Sequence, residues 1–341
     1  MKRFGDLFSK IVDKENIRTA HINARVGKVH YHEVKRVDKD IPYYVNRIAR
    51  VLDSGNFNTS EYKIKDRLCG SKMRTIYKLP YFPDRIVQHA IMQVIEPLLT
   101  PTLIRDTFQS IKGRGTHDAR KRVTKGIQDK DSNYILKFDI KKFYPSIDNE
   151  LLRAIVRRKI KCIDTLVLLD NIIDSTVGLP IGNYSSQILG NLYLSELDHL
   201  AKEKLGVKFY FRYCDDVVVM CKSKEDCTKA KEVLFKKVND LRLKVKEDWQ
   251  IYPTAKRDLD FVGWVFNKNY IKVRKSTIKN FKRKVKAIKV LDKPEKNPVS
   301  CVMSYWGIFK YVNNKLIWGL HVNETIKLKT DSYFKQNPLR R

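Results

Sequence analysis

The chain has 341 residues, 69 of them Lys or Arg and 38 Asp or Glu, which gives a formal net charge of +31. A field of that sign and size favours a polyanionic partner, because binding releases condensed counterions. With 43% hydrophobic and 11% aromatic residues, wholesale disorder is excluded, and the length fits two domain-sized units or one core with an appendage. No apolar run approaches the roughly 18 residues of a membrane helix. The start, Met1-Lys2-Arg3-Phe4-Gly5-Asp6, has no apolar stretch behind its charges. No membrane partner and a cytoplasmic location are therefore expected. Six cysteines form no C-x-x-C pair and read as reduced thiols, and the close pair His30 and His32 has no cysteine near it, which argues against zinc.

In chain order, residues 1–35 read as helical and basic, with Phe4, Leu7, Phe8 and Ile11 at helical spacing. Residues 40–52 read as an amphipathic helix. Residues 60–80 read as a hairpin around Gly70, with Lys72 and Arg74 after the turn. A helix is expected over 84–99 with Asp84 as its cap. The loop 111–117 contains Gly113, Arg114 and Gly115, and is either a phosphate cradle of free N–H groups or an ordinary turn. Residues 134–139 form a strand ending in Asp139; Pro145 breaks the chain, and a helix follows to about residue 159. Residues 178–187 are loop, leading into a helix from Ile188. Two strand-like runs over 208–220 flank Cys214-Asp215-Asp216, and a charged helix covers 225–242. Residues 260–273 read as a hairpin around Asn267-Lys268-Asn269. The composition turns basic from about residue 274. Over 276–291, Ile278, Phe281, Val285 and Ile288 form one apolar face, with Ser276 as cap. Lys279, Lys282, Arg283, Lys286 and Lys289 occupy the rest, as a solvated face or a phosphate-tracking surface.

The chemistry concentrates at Asp215 and Asp216. Adjacent carboxylates in apolar surroundings repel and are costly to desolvate, so they need either an exposed turn or neutralising cations. Asp139 ends a second apolar strand 76 residues earlier (215 − 139). A strand-terminal Asp beside an Asp pair at a hairpin tip is how a sheet presents three carboxylates to two Mg²⁺ ions about 3.5–4 Å apart. Such ions take hard oxygen ligands and share their shell with substrate phosphates.

This set resembles the reverse transcriptases of bacteria and phages. Phe138-Asp139-Ile140-Lys141-Lys142-Phe143-Tyr144 is similar to palm motif A, Gly178 to Gln187 to motif B, and Tyr213-Cys214-Asp215-Asp216 to the Y-x-D-D box of motif C, in the family's order. Residues 72–90 resemble the fingers motif and 110–119 the segment after it. The resemblance implies an α+β, right-hand polymerase fold: an N-terminal helical extension over 1–35, fingers and palm with an antiparallel sheet bearing the carboxylates over 36–273, and a basic helical thumb over 274–341. It implies catalysis by Asp139, Asp215 and Asp216, which with the Ile140 backbone carbonyl hold two Mg²⁺ ions, Mn²⁺ being an alternative. It places Lys72 and Arg74 on the triphosphate, Tyr144 as a steric gate against the 2′-hydroxyl, and Ile181, Gly182 and Gln187 at the incoming nucleotide. Lys244, with Lys246 as its rival, is the acid for pyrophosphate. Phe261, Val262, Gly263 and Trp264 form the primer grip. Arg114, Lys279, Lys282, Arg283 and Lys286 contact nucleic acid, while Trp306 and Trp318 belong to the thumb core.

The implied activity is RNA-directed DNA polymerisation, with template RNA, the RNA/DNA hybrid and dNTPs as partners. Ile181-Gly182 with Ser186-Gln187 gives I-G-x-x-x-S-Q, which resembles the enzymes of diversity-generating retroelements. That family copies a template RNA with frequent errors opposite adenine and works with a small basic accessory protein. The alternatives are a related bacterial reverse transcriptase of an anti-phage defence (abortive infection-type) system and a non-catalytic RNA-binding palm protein. No stretch beyond the thumb is expected to form an RNase H, integrase or endonuclease domain.

Overall fold

The computed structural model describes residues 3–69, 72–289, 296–312, 319 and 322. These residues mix helices with three β-sheets, the composition of an α+β protein. Strands β1 (Lys63–Cys69) and β2 (Lys72–Lys78) form an antiparallel ribbon that pairs Lys63 with Lys78 and Arg67 with Arg74. Strands β3 (Tyr134–Asp139), β4 (Phe209–Tyr213), β5 (Asp216–Cys221) and β6 (Gln250–Pro253) form a second sheet in the order β4-β5-β3-β6. Strands β7 (Leu259–Phe261), β8 (Trp264–Phe266) and β9 (Ile271–Val273) form an antiparallel three-stranded sheet.

The chain divides into two compact units that interleave in sequence. One comprises 1–115, 136–219 and 225–250; the other comprises 116–135, 220–224 and 251–341. In the first unit the helix Ile86–Leu99 is the central rod. Ile86, Val87, Ala90, Ile91, Ile95 and Leu99 are all buried, and Lys14–Ala24 packs along it. Asp40 starts the helix Ile41–Asp53 by accepting the Tyr43 N–H at 3.0 Å, with Pro42 in the first turn where a missing N–H is harmless. Val217, Val218 and Val219 of β5 are all fully buried, so this strand is covered on both faces. That explains why its sequence runs apolar without alternation. In the second unit, the Lys275–Lys289 helix turns Phe281 and Val285 inward, and the Phe281 ring meets Phe309 of the Lys296–Phe309 helix at 4.9 Å.

Several expectations are corrected. Phe4 lies outside any helix and bridges Ile160 instead. Asp84 caps nothing; it is fully buried and accepts the Ser60 N–H and hydroxyl at 2.9 and 2.7 Å. The motif B helix starts earlier, at Ser185 (Ser185–Tyr193), so Ser186 and Gln187 lie in its first turn. An unforeseen helix covers Ile163–Ile173, and β6 is also new. Beside the hairpin at 267–269 there is a second, at Val262-Gly263. Arg274, not Ser276, precedes the basic helix, its carbonyl accepting the Thr277 and Ile278 N–H groups. Trp306 is 37% exposed, so the thumb-core reading fails for it. Trp318, Gly70 and the side chains of Lys72, Ile288 and Lys289 lie outside the described residues. No helix among those residues is long and apolar enough to cross a membrane.

Candidate active site

The last residue of β3 and the first of β5 are Asp139 and Asp216, and the turn Cys214-Asp215 joins β4 to β5. The Ile140 N–H donates to the Asp215 carbonyl at 3.2 Å, which fixes the end of β3 beside that turn. On the other side of β3, the Lys246 N–H donates to the Asp139 carbonyl and the Lys141 N–H to the Lys244 carbonyl, both at 2.8 Å. Ile140 itself is fully buried and bridges Val245. Cys214 holds the left-handed conformation, φ +59°, which costs a residue with a side chain roughly 1–2 kcal/mol.

The three carboxyl groups feel one another. Lys246 Nζ sits 2.6 Å from Asp139 Oδ2, and Lys137 Nζ 3.6 Å from Asp216 Oδ2. The other oxygens, Asp139 Oδ1 and Asp216 Oδ1, are buried with no hydrogen-bond partner. Burial pushes the Asp139 carboxyl up to about 6, Lys246 opposing and the charge of Asp215 adding to the shift. Burial likewise pushes Asp216 up to about 7, with Lys137 opposing and the charges of Asp139 and Asp215 adding. The Cys214 thiol is raised to about 12, first by burial and then by Asp215. Among the described residues no three His, Cys, Asp or Glu side chains close around a common ion position. Even so, two orphaned carboxylate oxygens in one acidic cluster are the hard donors a divalent cation takes, and a buried acceptor without a partner calls for an ion or water. The residues present thus fit divalent-ion ligation by Asp139, Asp215 and Asp216.

Tyr144 stands beside this cluster, its hydroxyl against the Cys214 thiol and its own ionisation driven upward by burial. The motif B loop is pressed against it. The Leu179 N–H donates to the Tyr144 carbonyl at 2.9 Å, and a β-carbon on Gly178 would lie 2.7 Å from that same oxygen. Gly190 lies against the Tyr144 ring, where an added β-carbon would approach within 3.3 Å of Cε1. Farther along the loop, the Tyr77 N–H of β2 donates to the Ile181 carbonyl at 2.9 Å, and a β-carbon on Gly182 would sit 2.1 Å from the Tyr77 oxygen. The backbone of Ile181-Gly182 therefore latches the ribbon to motif B.

Beneath the acidic turn lies a charge network that sequence reading missed. Arg212 and Asp198 are both 0% exposed. Asp198 Oδ1 accepts from Arg212 Nε and the Tyr210 hydroxyl, each at 2.7 Å. Its Oδ2 accepts from Arg212 Nη2 at 2.6 Å and the Thr107 hydroxyl at 3.1 Å. Arg212 Nη1 donates to Asn191 Oδ1 at 3.2 Å and to the Cys214 carbonyl at 2.9 Å, while Nη2 also donates to the Asn191 carbonyl at 3.3 Å. A guanidinium has five N–H donors, and all are used. The available signal was the arginine inside the otherwise apolar and aromatic run FYFRY; Asp198, in the mixed stretch LYLSELDHL, gave none.

Of the remaining candidates in this unit, Arg74 is exposed on β2 and Gln187 is exposed in the first turn of its helix. Lys244 is exposed and contributes only backbone near the cluster; Lys246 is the lysine that reaches a carboxylate. The Arg114 guanidinium donates to the Ile104 carbonyl at 2.7 Å. In the second unit, the expected primer grip is the β7–β8 hairpin. Val262 and Gly263 have φ +45° and +93°, the pairing that suits a two-residue hairpin turn. Phe261 and Trp264 are buried, Trp264 donating to the Ile308 carbonyl at 3.4 Å, so only Val262 and Gly263 remain for an outside partner. Lys279, Lys282, Arg283 and Lys286 are exposed along the basic helix, opposite its buried face.

Residues 64–265, more than half of the chain, match the family model described as reverse transcriptase (RNA-dependent DNA polymerase). Over 212 residues, 58% of this chain, the sequence is 26% identical to a protein named nuclear intron maturase 4, mitochondrial, of Arabidopsis thaliana, covering 25% of that protein. Over 181 residues, 49% of this chain, it is 25% identical to an uncharacterized 91 kDa protein in the cob intron of Schizosaccharomyces pombe, covering 22% of it. The chain thus spans about a quarter or less of the length of these curated relatives.

Proposed function

The chain belongs to the reverse transcriptase family, and on that premise we propose that it is an RNA-directed DNA polymerase whose centre is the cluster of Asp139, Asp215 and Asp216. The observation that carries the reading is the meeting of those carboxyls at the ends of β3 and β5, with two inner oxygens left without partners. Asp139, Asp215 and Asp216 would hold the divalent ions, Mg²⁺ in the first instance. Such ions, when bound, supply Lewis acidity for attack of a primer 3′-hydroxyl and departure of pyrophosphate. The protein's own groups do the rest. The Tyr144 ring, seated on Gly190, takes up the space a 2′-hydroxyl needs. Lys246, already at Asp139, holds a proton where a leaving oxyanion needs one, and takes this role in preference to Lys244. The exposed bases of the Lys275–Lys289 helix supply phosphate contacts to the template RNA and its hybrid.

The pattern of Ile181 and Gly182 followed by the Ser186-Gln187 pair supports a narrower reading as the error-prone enzyme of a diversity-generating retroelement, with a small basic accessory protein as partner. The test is dNTP incorporation on an RNA template–primer with Mg²⁺, followed by sequencing of the product. Wild type is expected to extend the primer, with Asp215→Asn and Asp216→Asn inactive. Full activity in either variant overturns the metal assignment. Errors no more frequent opposite adenine than opposite other bases overturn the narrower reading alone.

A further inference from the structure

A buried ion pair is weak evidence for stability, because its desolvation rivals its attraction and apolar substitutes often serve as well. The Arg212–Asp198 pair therefore asks for another reason to exist, and its connections give one. Asp198 accepts four hydrogen bonds, two on each oxygen, and has no freedom left to move. Arg212 is thereby locked in its plane, with Asn191 of the motif B helix closing the far side. Its one remaining bond leaves the core and grips the carbonyl of Cys214, the residue in left-handed conformation directly before Asp215. Released, a non-glycine residue there relaxes toward negative φ. The peptide joining Cys214 to Asp215 then rotates, and the carboxylates after it change direction.

We propose that Arg212 is a positioning residue for the acidic turn: clamped by Asp198, its guanidinium holds the Cys214 carbonyl and so aims Asp215 and Asp216. The inference rests on the reading of those aspartates as metal ligands. A lysine cannot replace it, having a single nitrogen and no planar fork to serve Asp198, Asn191 and Cys214 at once.

The experiment compares full-length wild type, Arg212→Lys, the charge-neutralising Asp198→Asn, and Tyr210→Phe. The last removes one buried hydrogen bond to Asp198 while leaving the clamp and the Cys214 bond in place. Three quantities are read: Mn²⁺ binding to the protein alone by paramagnetic resonance titration, amide hydrogen exchange over 213–217 in metal-free protein, and kcat and KM for dTTP on poly(rA)–oligo(dT). Arg212→Lys is expected to melt below Tyr210→Phe, because it strands buried acceptors, and, measured where both are folded, to bind Mn²⁺ about 10-fold more weakly or worse, the scale of lost outer-shell support. Its 213–217 amides exchange faster, and kcat falls with KM unchanged; Asp198→Asn shifts the same way by less. Should Arg212→Lys fail to fold, Asp198→Asn against Tyr210→Phe decides by the same readouts. A folded variant with the Mn²⁺ affinity and exchange of Tyr210→Phe overturns the proposal. So does unfolding of both charge variants, which would make the pair a stability element. A wild type that neither binds Mn²⁺ nor extends a primer removes the polymerase reading itself; normal wild-type behaviour with an unaltered Arg212→Lys removes only the positioning role.

Discussion

Substituting Gly182 by alanine probes the latch between β2 and the motif B loop. The backbone there has φ +136°, a conformation that costs an alanine about 1–3 kcal/mol. The new β-carbon would lie 2.1 Å from the Tyr77 oxygen, where 3.0 Å is the closest approach real β-carbons make, so the two backbones must part by roughly 0.9 Å (3.0 − 2.1). That movement opens the 2.9 Å bond from the Tyr77 N–H to the Ile181 carbonyl, worth about 1 kcal/mol. The expected loss is about 2–4 kcal/mol in all. Gly113→Ala is the matched control: it shares a positive φ, +77°, but meets nothing within 4 Å, so only the backbone cost of about 1–2 kcal/mol applies. Urea denaturation followed by circular dichroism measures both. Steady-state kinetics should add a raised KM for dNTP in Gly182→Ala, because the ribbon bearing Arg74 is displaced from motif B. Equal denaturation midpoints for the two variants would refute the collision argument.

Three further outcomes are expected. Burial, helped by the charges of Arg85 and Lys28, holds His89 down at about 4, and its neutral ring stacks on Tyr184 at 4.3 Å. A base with a depressed folded pKa stabilises fully above its unfolded value of 6.5 and loses that stability as pH falls toward 4. The ceiling over this window is about 3 kcal/mol, and pH-dependent denaturation of His89→Gln should be flatter than wild type there. Tyr144→Ala should raise ribonucleotide incorporation relative to deoxynucleotide by about tenfold or more, read by primer extension with each nucleotide set. Replacing Lys279, Lys282, Arg283 and Lys286 by glutamine should lower the slope of log K against log salt for an RNA/DNA hybrid by up to about 3.6 (4 × 0.9), and an unchanged slope would remove that helix from the interface.

The strand ending in Asp139 was legible because a charge closing an apolar run has few structural uses. The turn at 214–215 was legible because aromatic and valine runs flank it. The start of the motif B helix was not. Gly-Asn-Tyr-Ser-Ser reads as loop, and the ties at the helix start come from elsewhere in the chain: the Tyr184 N–H donates to Gln88 Oε1 at 3.0 Å and the buried Ser186 hydroxyl to the Pro180 carbonyl at 2.8 Å. Asp84 had every mark of a cap, yet its partner is Ser60, 24 residues away, which no local pattern encodes. The same holds within the candidate site. Three aspartates announce themselves, but the choice of Lys246 over Lys244, and the presence of Lys137, depend on strand register. Ile181 drew attention for its side chain, whereas its backbone carbonyl makes the latch.

The β1–β2 ribbon carries a tension between its two sides. Lys63 faces Lys78, and Arg67 faces Arg74, on one side that also bears Lys65, while Ile64, Leu68 and Met73 are more than 60% exposed on the other. Like charges in direct register weaken a two-stranded ribbon that has little stability of its own. Mobile ions that screen this repulsion steady the ribbon, and, on the proposed function, the same ions would weaken the hold of the basic helix on a nucleic acid. Ionic strength would then act in opposite directions on the two, and primer extension is expected to peak at an intermediate salt concentration rather than at the lowest one.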